Sequence, residues 1–143
     1  MVAHELKQIL HVEDNPGDVL ITQEAFSLAG IPAKFSIAST GDEAVDFLKR
    51  RGPYADAVRP DLVILDLNLP VRSGQEILDD MRTDPELSGL IVAVLTSSPT
   101  DTDVCSRYDR HMCHYFQKSA TFDGLVTVVK RIEEFWRASR SPA

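Results

Sequence analysis

Five short apolar runs punctuate the chain: ILHV (9–12), AKFSIA (33–38), DLVILDL (61–67), LIVAVL (90–95) and CHYFQ (113–117). The third and fourth are almost continuously apolar, as strands covered on both faces of a parallel sheet are. Their valines and isoleucines suit that setting. Amphipathic stretches lie between the runs. Asn15-Pro16 predicts a helix start, a cap residue followed by proline at the first helical position. Ile21, Ala25 and Leu28 would then form its inward face, and Gly30 would end it. Thr40 predicts a cap for a helix running to about Lys49, with Asp42 and Glu43 in the acid-favouring first turn. Ser73 predicts another cap, with Ile77, Leu78 and Met81 inward and a stop at Asp84-Pro85. Residues 99–110 carry a weaker helical pattern, with Val104 and Tyr108 inward. Leu125, Val128, Val129, Ile132 and Trp136 repeat at helical spacing and predict the last helix.

Five strands alternating with five helices imply an α/β fold, a doubly wound sandwich around a five-stranded parallel sheet. Each crossover is expected to be right-handed. Such folds bind ligands at the carboxyl ends of the strands, near the switch point in strand order. The residues there are Glu13 and Asp14 after the first run, Asp66 after the third, Thr96 after the fourth and Lys118 after the fifth. If these ends are neighbours, three carboxylates crowd one cleft and raise one another's pKa values. A hard divalent cation bound through oxygen removes that conflict, and Mg²⁺ suits a small carboxylate site that also holds phosphate oxygens. Asp66 is the natural nucleophile, since a carboxylate can attack phosphorus and form an acyl phosphate. Lys118 and Thr96 can neutralise the equatorial oxygens of the transferred group. Taken one at a time, each of these residues reads better as a polar turn, a helix cap or a solvated strand end; only their joint placement at four strand ends points to chemistry.

Composition narrows the classes. The 143 residues allow one domain, and 43% hydrophobic with 26% charged residues is an ordinary globular profile. A net charge of −7 weighs against nucleic acid as a partner. No apolar run is long enough for a bilayer, and residues 1–8 lack the core of a signal peptide, so a cytoplasmic protein without a membrane partner is expected. Cys105 and Cys113, the two cysteines, are read as reduced thiols. His111, Cys113 and His114 form an H-x-C-H cluster that fits no common zinc spacing, and His11 reads as a packed core histidine.

With VEDN (12–15), LDLNLPVRSG (65–74), VLTSS (94–98) and YFQK (115–118) in this order and spacing, the chain resembles the receiver domains of two-component response regulators, which have a flavodoxin-like (βα)5 fold. VEDNPGDVLIT (12–22), PYADAVRPDLVILDLNLP (53–70) and IEEFW (132–136) bring it nearest in look to stand-alone regulators associated with phytochromes. The resemblance implies one receiver domain over 1–143, with a core at about 7–137 and no effector domain. It implies Asp66 as phosphoacceptor, a phosphorelay switch rather than an enzyme in its own right. Asp14 and Asp66 would bind Mg²⁺ directly, Glu13 through water and Asn68 through its backbone carbonyl. Thr96 and Lys118 would bind the phosphoryl oxygens, and Tyr115 would change rotamer as Thr96 moves. The switching surface would comprise the helix over 99–110, the strand over 113–117 and the last helix. The implied partners are a sensor histidine kinase, by resemblance a bacteriophytochrome, docking against the first helix, and an unknown downstream protein. A homodimer through the C-terminal helix, where Phe135 and Trp136 stand, is also expected.

Two positions depart from the family pattern. Ser119 stands where a proline with a cis bond usually follows the lysine, so the Lys118–Ser119 bond is expected to be trans. His111-Met112 replaces a small pair before the fifth strand. Three other readings compete. A phosphatase of the haloacid-dehalogenase type also uses a strand-end aspartate, but needs a general acid where Asn68 stands. A flavin carrier needs a phosphate loop where Glu13 and Asp14 stand. A pseudo-receiver would keep the fold and lose the chemistry, which the intact acidic set and Lys118 argue against.

Overall fold

The computed structural model describes residues 7–67, 69, 73–97, 105, 108 and 112–140. In chain order it contains β1 (Lys7–Val12), α1 (Pro16–Leu28), β2 (Ala33–Ala38), α2 (Gly41–Leu48), a 3₁₀ turn (Gly52–Tyr54), β3 (Leu62–Asp66), α3 (Gly74–Thr83), β4 (Ile91–Thr96), β5 (Cys113–Gln117) and α4 (Phe122–Arg140). All strand pairs are parallel, in the order β2-β1-β3-β4-β5. The chain leaves β1 toward β2 and returns on the other side to β3. The switch point therefore lies between β1 and β3, as in flavodoxin-like sheets. The weaker helix expected over 99–110 falls largely outside the described residues.

Strand alternation sends side chains to two cores. Leu10, Val12, Val63, Leu65, Val92 and Val94 pack beneath α2 and α3. Ile9, Leu62, Ile64, Ala93, Leu95 and Phe116 pack beneath α1 and α4. The three expected caps are present. Asn15 accepts from the amides of Gly17 and Asp18, Thr40 accepts from Glu43, and Ser73 forms a reciprocal capping box with Glu76. Gly30 has φ +73, which suits glycine, just past the end of α1.

Helix α1 is rotated from the expected face. Thr22, Ala25 and Phe26 are buried, whereas Ile21 and Leu28 are 42% and 66% exposed. Thr22 can enter the core because its hydroxyl donates to the Asp18 carbonyl at 2.7 Å. Leu20 is exposed as well. In α4, Trp136 is buried: its indole N–H donates to the Asp61 carbonyl at 3.1 Å, and the Lys7 ammonium lies 4.5 Å from the ring centroid. Lys7 in turn pairs with Glu133 at 2.7 Å. Phe135 packs on His114 and Phe116. The larger of the two aromatics expected to support a dimer therefore faces the core.

The cysteines correct a second expectation. Cys105 and Cys113 are joined in a disulfide, with Cα atoms 5.6 Å apart. The Tyr108 amide donates to the Cys105 carbonyl at 3.0 Å, and the buried Tyr108 hydroxyl lies 2.9 Å from the Leu90 carbonyl. Cys105 packs against the core that contains Cys113. With its sulfur in the bridge Cys113 is no metal ligand, and His114 packs edge-on against Phe116. His111 lies outside the described residues.

Candidate functional site

Glu13 and Asp14 follow β1 and Asp66 ends β3, one on each side of the switch point. One carboxylate oxygen from each lies within 4.8 Å of the others. Glu13 and Asp66 are buried while Asp14 is exposed, so the cluster opens to solvent on one side. The backbone holds Glu13 in place, its amide donating to the Ala38 carbonyl at 3.0 Å.

Lys118 reaches over this cluster from the end of β5. Its Nζ lies 3.3 Å from Glu13 Oε1, 3.6 Å from Asp18 Oδ2 and 3.7 Å from Asp66 Oδ2. The Lys118 amide donates to the Thr96 carbonyl at 2.7 Å, which fixes the lysine's origin beside the end of β4. Thr96 is fully buried. Val94 pairs with Tyr115 across β4 and β5, so alternation puts Thr96 and Tyr115 on the same sheet face, the one covered by α2 and α3. Five expected residues, Glu13, Asp14, Asp66, Thr96 and Lys118, thus converge on the strand ends. Asn68 lies outside the described residues. Sequence reasoning misses Asp18; its one signal is its place in the first turn of α1, shortly after the Asn15 cap.

Among the described residues no peptide bond is cis, so Lys118–Ser119 is trans as expected. Hydroxyls organise the turn that proline would otherwise stiffen. Ser119 Oγ accepts from the Thr121 amide at 3.2 Å, and Thr121 Oγ1 accepts from the Gly124 amide at 3.0 Å. Thr121 thereby caps α4.

The donor set is all oxygen and crowded with negative charge. That fits a hard divalent cation held by Glu13, Asp14 and Asp66. Burial, a hydrogen bond to Asp66 and the Asp66 charge raise the Glu13 carboxyl to about 7, with Lys118 opposing. Burial alone would lower the Lys118 ammonium, but Asp66, Glu13 and Asp18 outweigh it and hold it above the usual lysine value. Beneath Glu13 on the same strand face, His11 is buried with neither ring nitrogen hydrogen-bonded. Burial, aided by Lys118 and opposed by Asp66, pulls its imidazole down to about 4.

These two shifts act on stability with opposite signs. Folded Glu13 keeps a proton that the unfolded chain loses above about 4.5, so stability falls as pH rises from there to about 7. Unfolded His11 takes up a proton that the folded state refuses, so stability falls as pH drops from about 6.5 to about 4. In metal-free wild type the two slopes oppose each other between pH 4.5 and 6.5. Glu13→Gln is expected to expose the His11 slope, losing on the order of 1–3 kcal/mol as pH falls. His11→Leu is expected to expose the reverse slope. Urea unfolding with chelator across this range checks both, and two variants with the same slope would refute the assignment.

Residues 9–130 match the family model of the response regulator receiver domain. Response regulator Rcp1 of Synechocystis is 38% identical over 91% of this chain and 88% of its own length. The structure of the phosphorylated cyanobacterial phytochrome response regulator RcpA superposes with a TM-score of 0.82, at 40% identity over 97% of this chain and all of that one. The Mn²⁺-bound form of Rcp1 superposes with a TM-score of 0.79, at 37% identity over 96% of this chain and 99% of that one. Among the described residues no helix is long and apolar enough to cross a membrane.

Proposed function

The chain belongs to the response regulator receiver family, and from that premise we propose that Asp66 accepts a phosphoryl group from a sensor histidine kinase in the cytoplasm. The observation that carries this reading is the Lys118 ammonium 3.7 Å from Asp66 within the carboxylate cluster at the switch point. An Asp66 oxygen attacks phosphorus as the phosphorus–nitrogen bond of the donor phosphohistidine breaks, and the imidazole leaves with the electron pair. Lys118 exchanges its contacts with Glu13 and Asp66 for the phosphoryl oxygens, and the Thr96 hydroxyl donates to another of them. Glu13, Asp14, Asp66 and the Asn68 carbonyl would hold Mg²⁺, which when bound neutralises the phosphoryl oxygens. Tyr115, on the Thr96 face, would then follow the threonine and alter the surface presented to a downstream partner.

Acetyl phosphate tests the chemistry without a kinase. Intact mass should show one added phosphoryl group with Mg²⁺ and none with chelator, and peptide mapping should put it on Asp66. A protein left unlabelled in Mg²⁺ would be a pseudo-receiver.

The similarity to phytochrome regulators supports a phytochrome as the kinase. The unpartnered apolar residues of α1, Leu20, Ile21 and Leu28, together with Phe122 of α4, supply a surface for it to dock on. Leu28→Asp is expected to slow transfer from the kinase roughly tenfold or more, with acetyl phosphate labelling unaffected. Equal slowing from both donors would mean that the site itself had been disturbed. A homodimer through the C-terminal helix region belongs to the same reading, and light scattering at micromolar concentration, with and without phosphorylation, tests it.

A further inference from the structure

No step of the proposed chemistry uses the Cys105–Cys113 bridge. Cys113 opens β5 and is buried, at 3% exposure, whereas Cys105 is half-buried. Cys105 is therefore the more exposed of the bridge's two ends. Tyr108 lies between them in the chain, its hydroxyl against the Leu90 and Leu87 carbonyls at 2.9 and 3.3 Å. The Met112 carbonyl accepts from the Val92 amide at 2.7 Å. The bridge thus fastens Cys105 to the base of β5, four residues, or roughly 13 Å, below Gln117. It lies on the face that carries Tyr115 and Thr96.

We propose that Cys105–Cys113 is a reversible thiol–disulfide exchange site, opened by dithiol reductants, whose state sets how tightly the base of β5 is held. Attack by one thiolate of a dithiol on Cys105 Sγ breaks the sulfur–sulfur bond and releases Cys113 as a thiolate. The donor's second thiolate then displaces Cys105 and closes the donor's own disulfide. Two electrons and two protons pass from donor to cysteines, and no other reactant is needed. Two observations favour exchange over a permanent staple. Cys105 is half-buried rather than enclosed, and exposed bridges are the labile ones. A receiver that meets its kinase inside the cell works in a reducing compartment, where bridges are transient and redox-responsive. This second point rests on the function proposed above; the measurement below does not.

The protein is equilibrated in buffers of graded reduced-to-oxidised glutathione ratio and in dithiothreitol. It is then quenched by alkylation and weighed intact, and amide exchange is followed over residues 112–117. The expected result is full conversion from bridge to two alkylated thiols across the series, with exchange over 112–117 at least about tenfold faster in the reduced form. Cys105→Ser should exchange at the fast rate whatever the ratio. Thiols that alkylate at every ratio, a bridge that survives dithiothreitol in the folded protein, or equal exchange in both states would overturn the proposal. A redox response persisting in Cys105→Ser would do the same. Phosphoryl labelling is not read, so failure of the phosphoacceptor reading cannot pass for failure of this one.

Discussion

Asp66→Asn is expected to take up no phosphoryl group from acetyl phosphate under conditions that label the wild-type protein. The amide has the shape of the carboxylate but not its nucleophilic oxygen. The change also alters the metal site. The cluster drops from three carboxylates to two, and the charge that helps raise Glu13 disappears. Without metal the variant should therefore fold at least as stably as wild type, since relief of carboxylate repulsion offsets the weaker attraction to Lys118. With metal the order reverses. A ligand at about a hundredfold its dissociation constant adds about 2.7 kcal/mol to stability. At the Mg²⁺ concentration that gives wild type this gain, the Asp66→Asn protein should keep less than about half of it. Urea melts with and without Mg²⁺, beside intact mass, check both parts. Labelling that persisted in the variant would move the acceptor elsewhere. A full Mg²⁺ gain would take Asp66 out of the metal site.

Gly74→Ala is expected to destabilise the fold by about 2–3 kcal/mol. A Cβ at this position would stand 2.8 Å from Leu67 Cα and 2.9 Å from the Asp66 carbonyl oxygen. Both are backbone atoms and cannot rotate aside. Either α3 retreats or the chain leaving Asp66 does, and the Gly74 amide loses its 3.2 Å bond to the Leu67 carbonyl. The better helix propensity of alanine, at most about 1 kcal/mol, works in the other direction and is outweighed. Because the displaced atoms belong to Asp66 and its neighbour, labelling by acetyl phosphate should slow as well. A urea midpoint unchanged in Gly74→Ala would show that the strand-to-helix turn yields more easily than its backbone contacts imply.

Much of this site was legible because its residues are tied to strand ends, and strand ends are marked by where apolar runs stop. The runs ILHV (9–12), DLVILDL (61–67) and CHYFQ (113–117) place Glu13, Asp66 and Lys118 without any knowledge of side-chain packing. Caps were legible for a similar reason: Asn15, Thr40 and Ser73 act on amides two or three residues away. The rotation of α1 was not legible. Val19, Leu20, Ile21, Ala25, Phe26 and Leu28 are spread around the helix, so no periodicity selects a face, and a threonine that satisfies its own hydroxyl can be buried like a valine. Asp18 was hidden because its partner, Lys118, is 100 residues away in the chain. The disulfide depends on the Cα atoms of Cys105 and Cys113 lying 5.6 Å apart, and the spacing of two cysteines carries no record of that approach.

Trp136 is the one tryptophan of the chain. It lies at the pole of the sheet opposite Asp66, with its indole against the carbonyl just before β3 and the Lys7 ammonium over its ring. Unfolding would strip away both neighbours, whereas loading the acceptor, at the far pole of the sheet, is expected to leave them in place. Its emission should thus be a built-in gauge of folding that is blind to activation. A single fluorescence trace can then follow stability in the same sample whose phosphoryl content is being varied, with no added dye or label.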